Sequence, residues 1–151
     1  MANKIEIEVA DLAKLDVVAG RIAKWLQETQ GIIYLSGDLG AGKTTLVQKI
    51  MIQLGYTGKV KSPTYTYVES YELGFGIIHH FDLYRISSID DLSYIGIEDY
   101  FDVGAALIIE WPERGSGVLS APDLKVEIDL IDELRVFHIN ACTPQGLKFL
   151  Q

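Results

Sequence analysis

A chain of 151 residues, 48% hydrophobic and 23% charged, is long enough for one domain with a substantial core. Thirteen Lys and Arg against twenty-one Asp and Glu leave a net charge of −8, and so acidic a chain gains little from the phosphate electrostatics that drive autonomous binding of DNA or RNA. The lone cysteine, Cys142, excludes an internal disulfide or a multi-cysteine metal site, while a charged segment from Met1 to Glu8 and apolar runs of only strand length argue against a signal peptide or membrane span. A cytoplasmic protein of a single domain, residues 1–151, is expected, with Lys59 and Lys61 as one local basic spot.

Ile5, Ile7 and Val9 alternate with Glu6 and Glu8, which predicts a strand with one wet face. Asp11 is suited to cap a helix carrying Leu12, Leu15, Ala19, Ile22 and Leu26 on one stripe, ending at Gln30-Gly31. Ile32 to Ser36 is apolar and partly β-branched, the pattern of a buried strand. It runs into Gly37-Asp38-Leu39-Gly40-Ala41-Gly42-Lys43-Thr44-Thr45, which fits G-x-x-x-x-G-K-[ST], and Leu46, Val47, Ile50, Met51 and Leu54 then recur at helical spacing up to Gly55.

Strand, glycine loop and helix in that order are the context a phosphate-binding loop requires. Glycines let successive N–H groups turn inward toward phosphate oxygens, at a helix N-terminus whose dipole favours negative charge. Asp38, Leu39, Gly40, Ala41, Gly42, Lys43, Thr44 and Thr45 are therefore candidate nucleotide-binding residues, with Lys43 reaching the β- and γ-phosphates and the Thr44 hydroxyl holding Mg²⁺. As a loop lysine, Lys43 is expected to be solvated.

Beyond a polar connection from Thr57 to Pro63, two strand-like runs, Thr64 to Tyr71 and Phe75 to Asp82, flank Glu72-Leu73-Gly74 and predict a β-hairpin. Parallel neighbours cannot be joined so tightly, so the sheet must be mixed. Arg85 to Val103 reads as helical and irregular, with Ser88 capping a short helix and with Asp90, Asp91, Glu98, Asp99 and Asp102 forming the most acidic surface. Its aromatics Tyr94, Tyr100 and Phe101 are assigned to the core. Gly104 to Glu110 is an uninterrupted apolar run ending in an acid, the form of a central parallel strand. A glycine- and proline-rich loop spans Trp111 to Pro122, strands are predicted over Leu124 to Ile131 and Leu134 to Ala141 with Asp132-Glu133 as the turn, and Pro144 to Gln151 forms a last short helix. Cys142, in an alternating apolar tail, is expected to be a buried thiol.

A phosphate loop needs an acid at the end of a neighbouring strand to hold magnesium or its waters. Glu110 and Asp82 are the candidates. The run before Glu110 is the more buried type, so Glu110 is expected beside Thr44, and Asp82 is expected to orient water or stand behind the metal. Thr64 lies where nucleotide switches place a γ-phosphate sensor. His79 and His80, consecutive on a strand, face opposite sides and cannot share a metal. A guanine-reading site would need an Asn-Lys-x-Asp loop. The only Asn-Lys, Asn3-Lys4, lies at the N-terminus and is followed by Ile5-Glu6, so ATP is the expected nucleotide.

Four blocks in order, the phosphate loop, Ser62-Pro63-Thr64-Tyr65-Thr66, His80-Phe81-Asp82-Leu83-Tyr84-Arg85 and Glu110-Trp111-Pro112, resemble the bacterial TsaE (YjeE) family across nearly the whole chain. That resemblance implies a P-loop NTPase-like α/β fold, three-layered, with a mixed, mainly parallel sheet containing a β-hairpin. It implies a small ATPase, slow alone and stimulated by its partners TsaB and TsaD, serving threonylcarbamoylation of adenosine 37 in tRNA, with tRNA met only through the complex. By the same resemblance Lys43, Asp82 and Glu110 are catalytic, Thr44 and Glu110 hold Mg²⁺, and Trp111 lies near the nucleotide. The resemblance also raises adenine contacts from residues 9–12 and a role for Arg135, but the segments that carry them are less distinctive and neither is assigned. The protein alone is expected to be monomeric. The rival reading is a small-molecule P-loop kinase, which would need an arginine-bearing lid, and the only arginines are Arg21, Arg85, Arg114 and Arg135. A regulatory module that binds ATP without turnover is the third.

Overall fold

In the computed structural model, which describes residues 3–101 and 104–151, the phosphate-loop strand sits at the middle of a seven-stranded sheet. The strands are β1 (Lys4–Val9), β2 (Ile32–Ser36), β3 (Val68–Leu73), β4 (Gly76–Asp82), β5 (Ala105–Glu110), β6 (Leu124–Ile131) and β7 (Leu134–Ala141), in the spatial order β1-β7-β6-β2-β5-β4-β3. The central four, β6, β2, β5 and β4, run parallel, and antiparallel partners close both flanks. A three-layer α/β fold with a mixed sheet and the β3–β4 hairpin is what the sequence predicted.

One face is covered by α1 (Leu12–Thr29) and α2 (Lys43–Gln53). Asp11 caps α1, its Oδ1 accepting from the Lys14 amide at 2.8 Å, and Gln30 stops it in a left-handed conformation at φ 50°. Leu15, Val18, Ala19, Ile22 and Leu26 recur at i, i+3, i+4 and bury one stripe against the sheet, but Leu12 does not join them: it stays 64% exposed. The other face carries α3 (Ile89–Ile95) and a 3₁₀ turn over Ile97–Phe101, packed on Phe81, Leu83, Leu107 and Ile109.

Several local expectations need correction. The strand expected from Thr64 starts only at Val68, because the Tyr67 amide turns back onto the Pro63 carbonyl at 2.8 Å and Tyr67 takes φ 68°. Tyr94 is 92% exposed rather than core, since α3 buries Leu92 and turns Tyr94 outward, while Tyr100 and Phe101 do pack on the sheet. Cys142 lies just past the end of β7, where alternation no longer governs burial, and its thiol is exposed. Asp102 and Val103, part of the acidic stretch, lie outside the described residues. α4 (Pro144–Leu147) and a 3₁₀ turn over Lys148–Leu150 close the chain.

Because β2, β4 and β5 are parallel, their C-terminal ends share one edge of the sheet. Leu35 pairs with Glu110, and Glu110 pairs with Asp82, so the two strand-end acids stand directly beside the segment leading into the glycine loop.

Candidate functional site

The glycine loop leaves β2 at Gly37 and enters α2 at Lys43, and its shape depends on residues without a Cβ. Gly42 has φ 105°, and a Cβ there would approach Arg135 Nε to 3.1 Å; at Gly37, φ 157°, it would lie 2.9 Å from the Ile128 carbonyl. Gly40, at φ 84°, faces open space.

The loop borders a cleft of about 300 Å³ lined by Gly40, Gly42, Lys43, Thr44, Thr45, Ser62, Thr64, Asp82, Glu110, Trp111 and Arg135, with Leu39 at its rim. The candidates Lys43, Thr44, Thr45, Thr64, Asp82, Glu110 and Trp111, drawn from four separate stretches of the chain, thus share one concavity. Asp38 and Ala41 fall on the other side of the loop, against Ile128 to Ile131.

Lys43 is not the solvated side chain expected from its place in a loop. It is 7% exposed, donates from Nζ to the Gly37 carbonyl, and sits 4.2 Å from the centroid of the Trp111 ring. Burial pulls its pKa below the ordinary lysine value, opposed by the negative charges of Glu110, then Asp82, Glu113 and Asp38. Trp111 itself adopts φ 55°, ψ 51°, and its ring packs at 4.9 Å against that of Tyr84, tilted by 48°. That left-handed kink directly after β5 turns the chain at the end of the strand and sets the indole over the loop lysine.

The two acids are both buried, Asp82 at 6% and Glu110 at 2% exposure. Asp82 Oδ1 accepts from the Tyr84 amide at 2.9 Å, and its Oδ2 accepts from the Thr64 hydroxyl at 3.2 Å. Thr64 also shares a 2.7 Å hydrogen bond with the Ser62 hydroxyl. Glu110 Oε2 lies 2.6 Å from His80 Nε2.

The donor set for a metal here is all oxygen: the Thr44 hydroxyl and the Glu110 and Asp82 carboxylates. These are hard ligands of the kind Mg²⁺ takes, and Mg²⁺ normally binds through one or two carboxylates with phosphates and waters completing its shell. Among the described residues no group of three or more His, Cys, Asp or Glu side chains is arranged to hold a metal by itself, so the fit is to a metal–phosphate pair.

Two features that the sequence left unassigned take a definite place. Arg135, on β7, donates from Nε to the Ala41 carbonyl at 2.9 Å and lines both the cleft and a neighbouring pocket of about 290 Å³. That pocket is walled by Val9, Ala10, Asp11, Leu12 and Leu15 with Gly42 and Thr45. The exposed Leu12 forms part of this wall, which accounts for its departure from the helix stripe. Nothing local in the sequence gives the reach of Arg135 or marks Val9 to Leu12 as a pocket, and only the family resemblance pointed to either. Among the described residues, no helix is long and apolar enough to cross a membrane.

Comparison with known proteins points one way. Residues 9–136 match the family model described as threonylcarbamoyl adenosine biosynthesis protein TsaE. The chain is 46% identical over 119 residues to the tRNA threonylcarbamoyladenosine biosynthesis protein TsaE of Haemophilus influenzae, covering 79% of this chain and 75% of that protein. It is 40% identical over 117 residues to the protein of the same name from a Synechocystis species, covering 74% and 73%. The crystal structure of YdiB from Bacillus subtilis superposes with a TM-score of 0.79 at 22% identity, over 99% of this chain and 93% of that one, a likeness of fold.

Proposed function

The chain belongs to the TsaE family of tRNA threonylcarbamoyladenosine biosynthesis, and on that premise we propose that it is an ATP-binding, slowly hydrolysing P-loop ATPase acting with TsaB and TsaD. The observation carrying this reading is the convergence of Lys43 and Thr44, at the start of α2, with two buried carboxylates from the ends of adjacent parallel strands.

In this reading the loop amides and the α2 N-terminus receive the phosphates, and Lys43 exchanges the Gly37 carbonyl for phosphate oxygens. Thr44 and Glu110 would hold Mg²⁺, which supplies neutralisation of phosphate charge when bound. Asp82 orients the attacking water or, through Thr64, the segment that senses the γ-phosphate. The pocket between Val9 and Leu15 adjoins Thr45 and Arg135, on the far side of Gly42 from the acids, and suits the adenine ring: it offers the Leu12 and Leu15 side chains for the base face. Arg135, tied to the Ala41 carbonyl, separates base from phosphates.

The kinase alternative gains no support from the arginines. Arg21 packs on Phe149, Arg85 on Tyr65, Arg114 on Tyr84, and Arg135 is tied to the phosphate loop; they form no common lid. The deciding experiment is release of inorganic phosphate from ATP by the protein alone and with TsaB and TsaD. Slow release that rises severalfold with the pair is expected. No release under either condition would leave a binding module without turnover.

A further inference from the structure

We propose that His80 is a positioning residue for Glu110, holding that carboxylate in the orientation that engages the metal–phosphate ligand; this rests on the reading of Glu110 as a magnesium-holding residue. His80 is on β4 two residues before Asp82 and two after Ile78, so its side chain leaves the sheet on their face, the one where Ile78 joins the core with α1 and α2. It is 1% exposed, and its Nε2 lies 2.6 Å from Glu110 Oε2. A hydrogen bond from Nε2 to a carboxylate oxygen uses one of the two ring nitrogens and leaves Nδ1 as the other polar atom of the ring. That Nδ1 is buried with no hydrogen-bond partner.

The unpartnered nitrogen is what separates this histidine from an ordinary core residue. A buried polar nitrogen without a partner is a cost that an apolar side chain of similar size would not carry. What His80 contributes in return is one hydrogen bond, and that bond goes to the acid at the head of the cleft. With Oε2 occupied, Glu110 is left with Oε1, which has no side-chain or backbone partner among the described residues, as its free ligand atom. A carboxylate fixed by a neighbour loses less freedom on ligating an ion, and outer partners of this kind typically affect metal affinity by about 10- to 100-fold. Asp82, held through Thr64 and Tyr84, has no such contact with His80, so the effect is specific to Glu110.

The test is binding of a fluorescent ATP analogue to the full chain, titrated with Mg²⁺, for wild type, His80→Leu, His80→Gln and Glu110→Ala. His80→Leu is expected to raise the Mg²⁺ concentration giving half of the metal-dependent tightening by about 10-fold or more, while affinity in excess chelator stays as in wild type. His80→Gln, which keeps an amide donor at comparable reach, is expected to recover most of the response. An unchanged Mg²⁺ response in His80→Leu overturns the proposal, as does an equal loss of affinity with and without Mg²⁺. If His80→Leu does not fold, His80→Gln decides: folded with a near wild-type Mg²⁺ response it supports the proposal, folded without one it overturns it. Glu110→Ala separates the two levels. Should it leave the Mg²⁺ response intact, the assignment of Glu110 itself has failed and His80 has nothing to position; should it abolish the response while His80→Leu does not alter it, only the role of His80 falls.

Discussion

Asp82 and Glu110 are paired in register across β4 and β5, yet the two carboxylates are held by different parts of the molecule. Glu110 is fixed from behind, by His80 within the sheet, whereas Asp82 is tied to Thr64 in the turn that precedes the hairpin. Adjacent acids with such different partners are suited to different tasks, one to a fixed ion and the other to a segment that moves.

This difference gives the first prediction. Glu110→Ala should remove the tightening of nucleotide binding by Mg²⁺, while Asp82→Ala should leave binding within about threefold of wild type and lower turnover by about 100-fold or more, the usual scale for a lost proton-handling or water-orienting group. Nucleotide affinity with and without magnesium, together with phosphate release in the partner complex, separates them. The reverse pattern would exchange the two roles.

Lys43 and Trp111 supply the second. The ammonium lies 4.2 Å from the indole centroid, so a triphosphate that draws Lys43 away changes the surroundings of that ring. The other tryptophan, Trp25, is buried under α4 with its Nε1 donating to the Gln145 carbonyl at 2.9 Å. A Trp25→Phe protein should therefore keep an ATP-dependent emission change, and a Trp111→Phe protein should lose it. In Lys43→Ala the binding signal should vanish with ATP affinity, while the melting temperature moves by no more than about 4 °C, roughly 1–2 kcal/mol for a domain of this size. Unaltered nucleotide affinity in Lys43→Ala would show that the phosphates bind elsewhere.

Most of this architecture could be read from local chemistry. The glycine loop, the Asp11 cap, the β3–β4 hairpin and the strand-end acids each depend on residues close in sequence, where backbone preference and period act directly. The features that decide the site depend on contacts between distant segments. Thr64 to Tyr67 has strand composition, but a tertiary turn holds it beside Asp82. Lys43 looks solvated until Trp111, sixty-eight positions on, is folded over it. Arg135 and His80 acquire their partners, Ala41 and Glu110, only once strand order is known, and no period in the sequence encodes that order.

The third prediction concerns the base. ATP should compete for the site far better than GTP, because no Asn-Lys-x-Asp loop is present and the pocket beside Arg135 offers an apolar wall. Leu12 is exposed on that wall, so Leu12→Ala should weaken ATP by about fivefold, roughly 1 kcal/mol for partial loss of apolar cover, without changing fold stability appreciably. Competition binding with ATP, GTP and inorganic triphosphate checks this: triphosphate should not distinguish the variant from wild type. Equal competition by ATP and GTP would remove the adenine assignment.

The last prediction is about what the nucleotide is for. The Thr64 hydroxyl is already engaged, donating to Asp82 at 3.2 Å and accepting from the Ser62 hydroxyl at 2.7 Å, within a turn closed by the Tyr67 amide on the Pro63 carbonyl. A γ-phosphate in the cleft offers that hydroxyl a charged acceptor in place of Asp82, and leaves Asp82 free to orient water. Hydrolysis withdraws the phosphate and returns the hydroxyl to the carboxylate. The segment from Ser62 to Tyr67 thus has two sets of partners and is a candidate two-state element. A ligand shifts such an equilibrium only by its differential affinity for the two states, so ATP-bound and ADP-bound protein must differ in affinity for the TsaB–TsaD pair, by roughly 1–3 kcal/mol or 5- to 150-fold if the coupling is typical. Reciprocity then requires the pair to change the affinity for ATP relative to ADP by the same factor. Thr64→Val removes the hydroxyl while keeping the shape, and should bring the two partner affinities to within about twofold of each other without abolishing ATP binding. Titrating the partner pair against protein loaded with a non-hydrolysable ATP analogue or with ADP, for wild type and Thr64→Val, measures every term. Equal affinities in the wild type would mean that hydrolysis serves a step other than assembly. A persistent difference in Thr64→Val would move the sensor from Thr64 to another residue of the cleft.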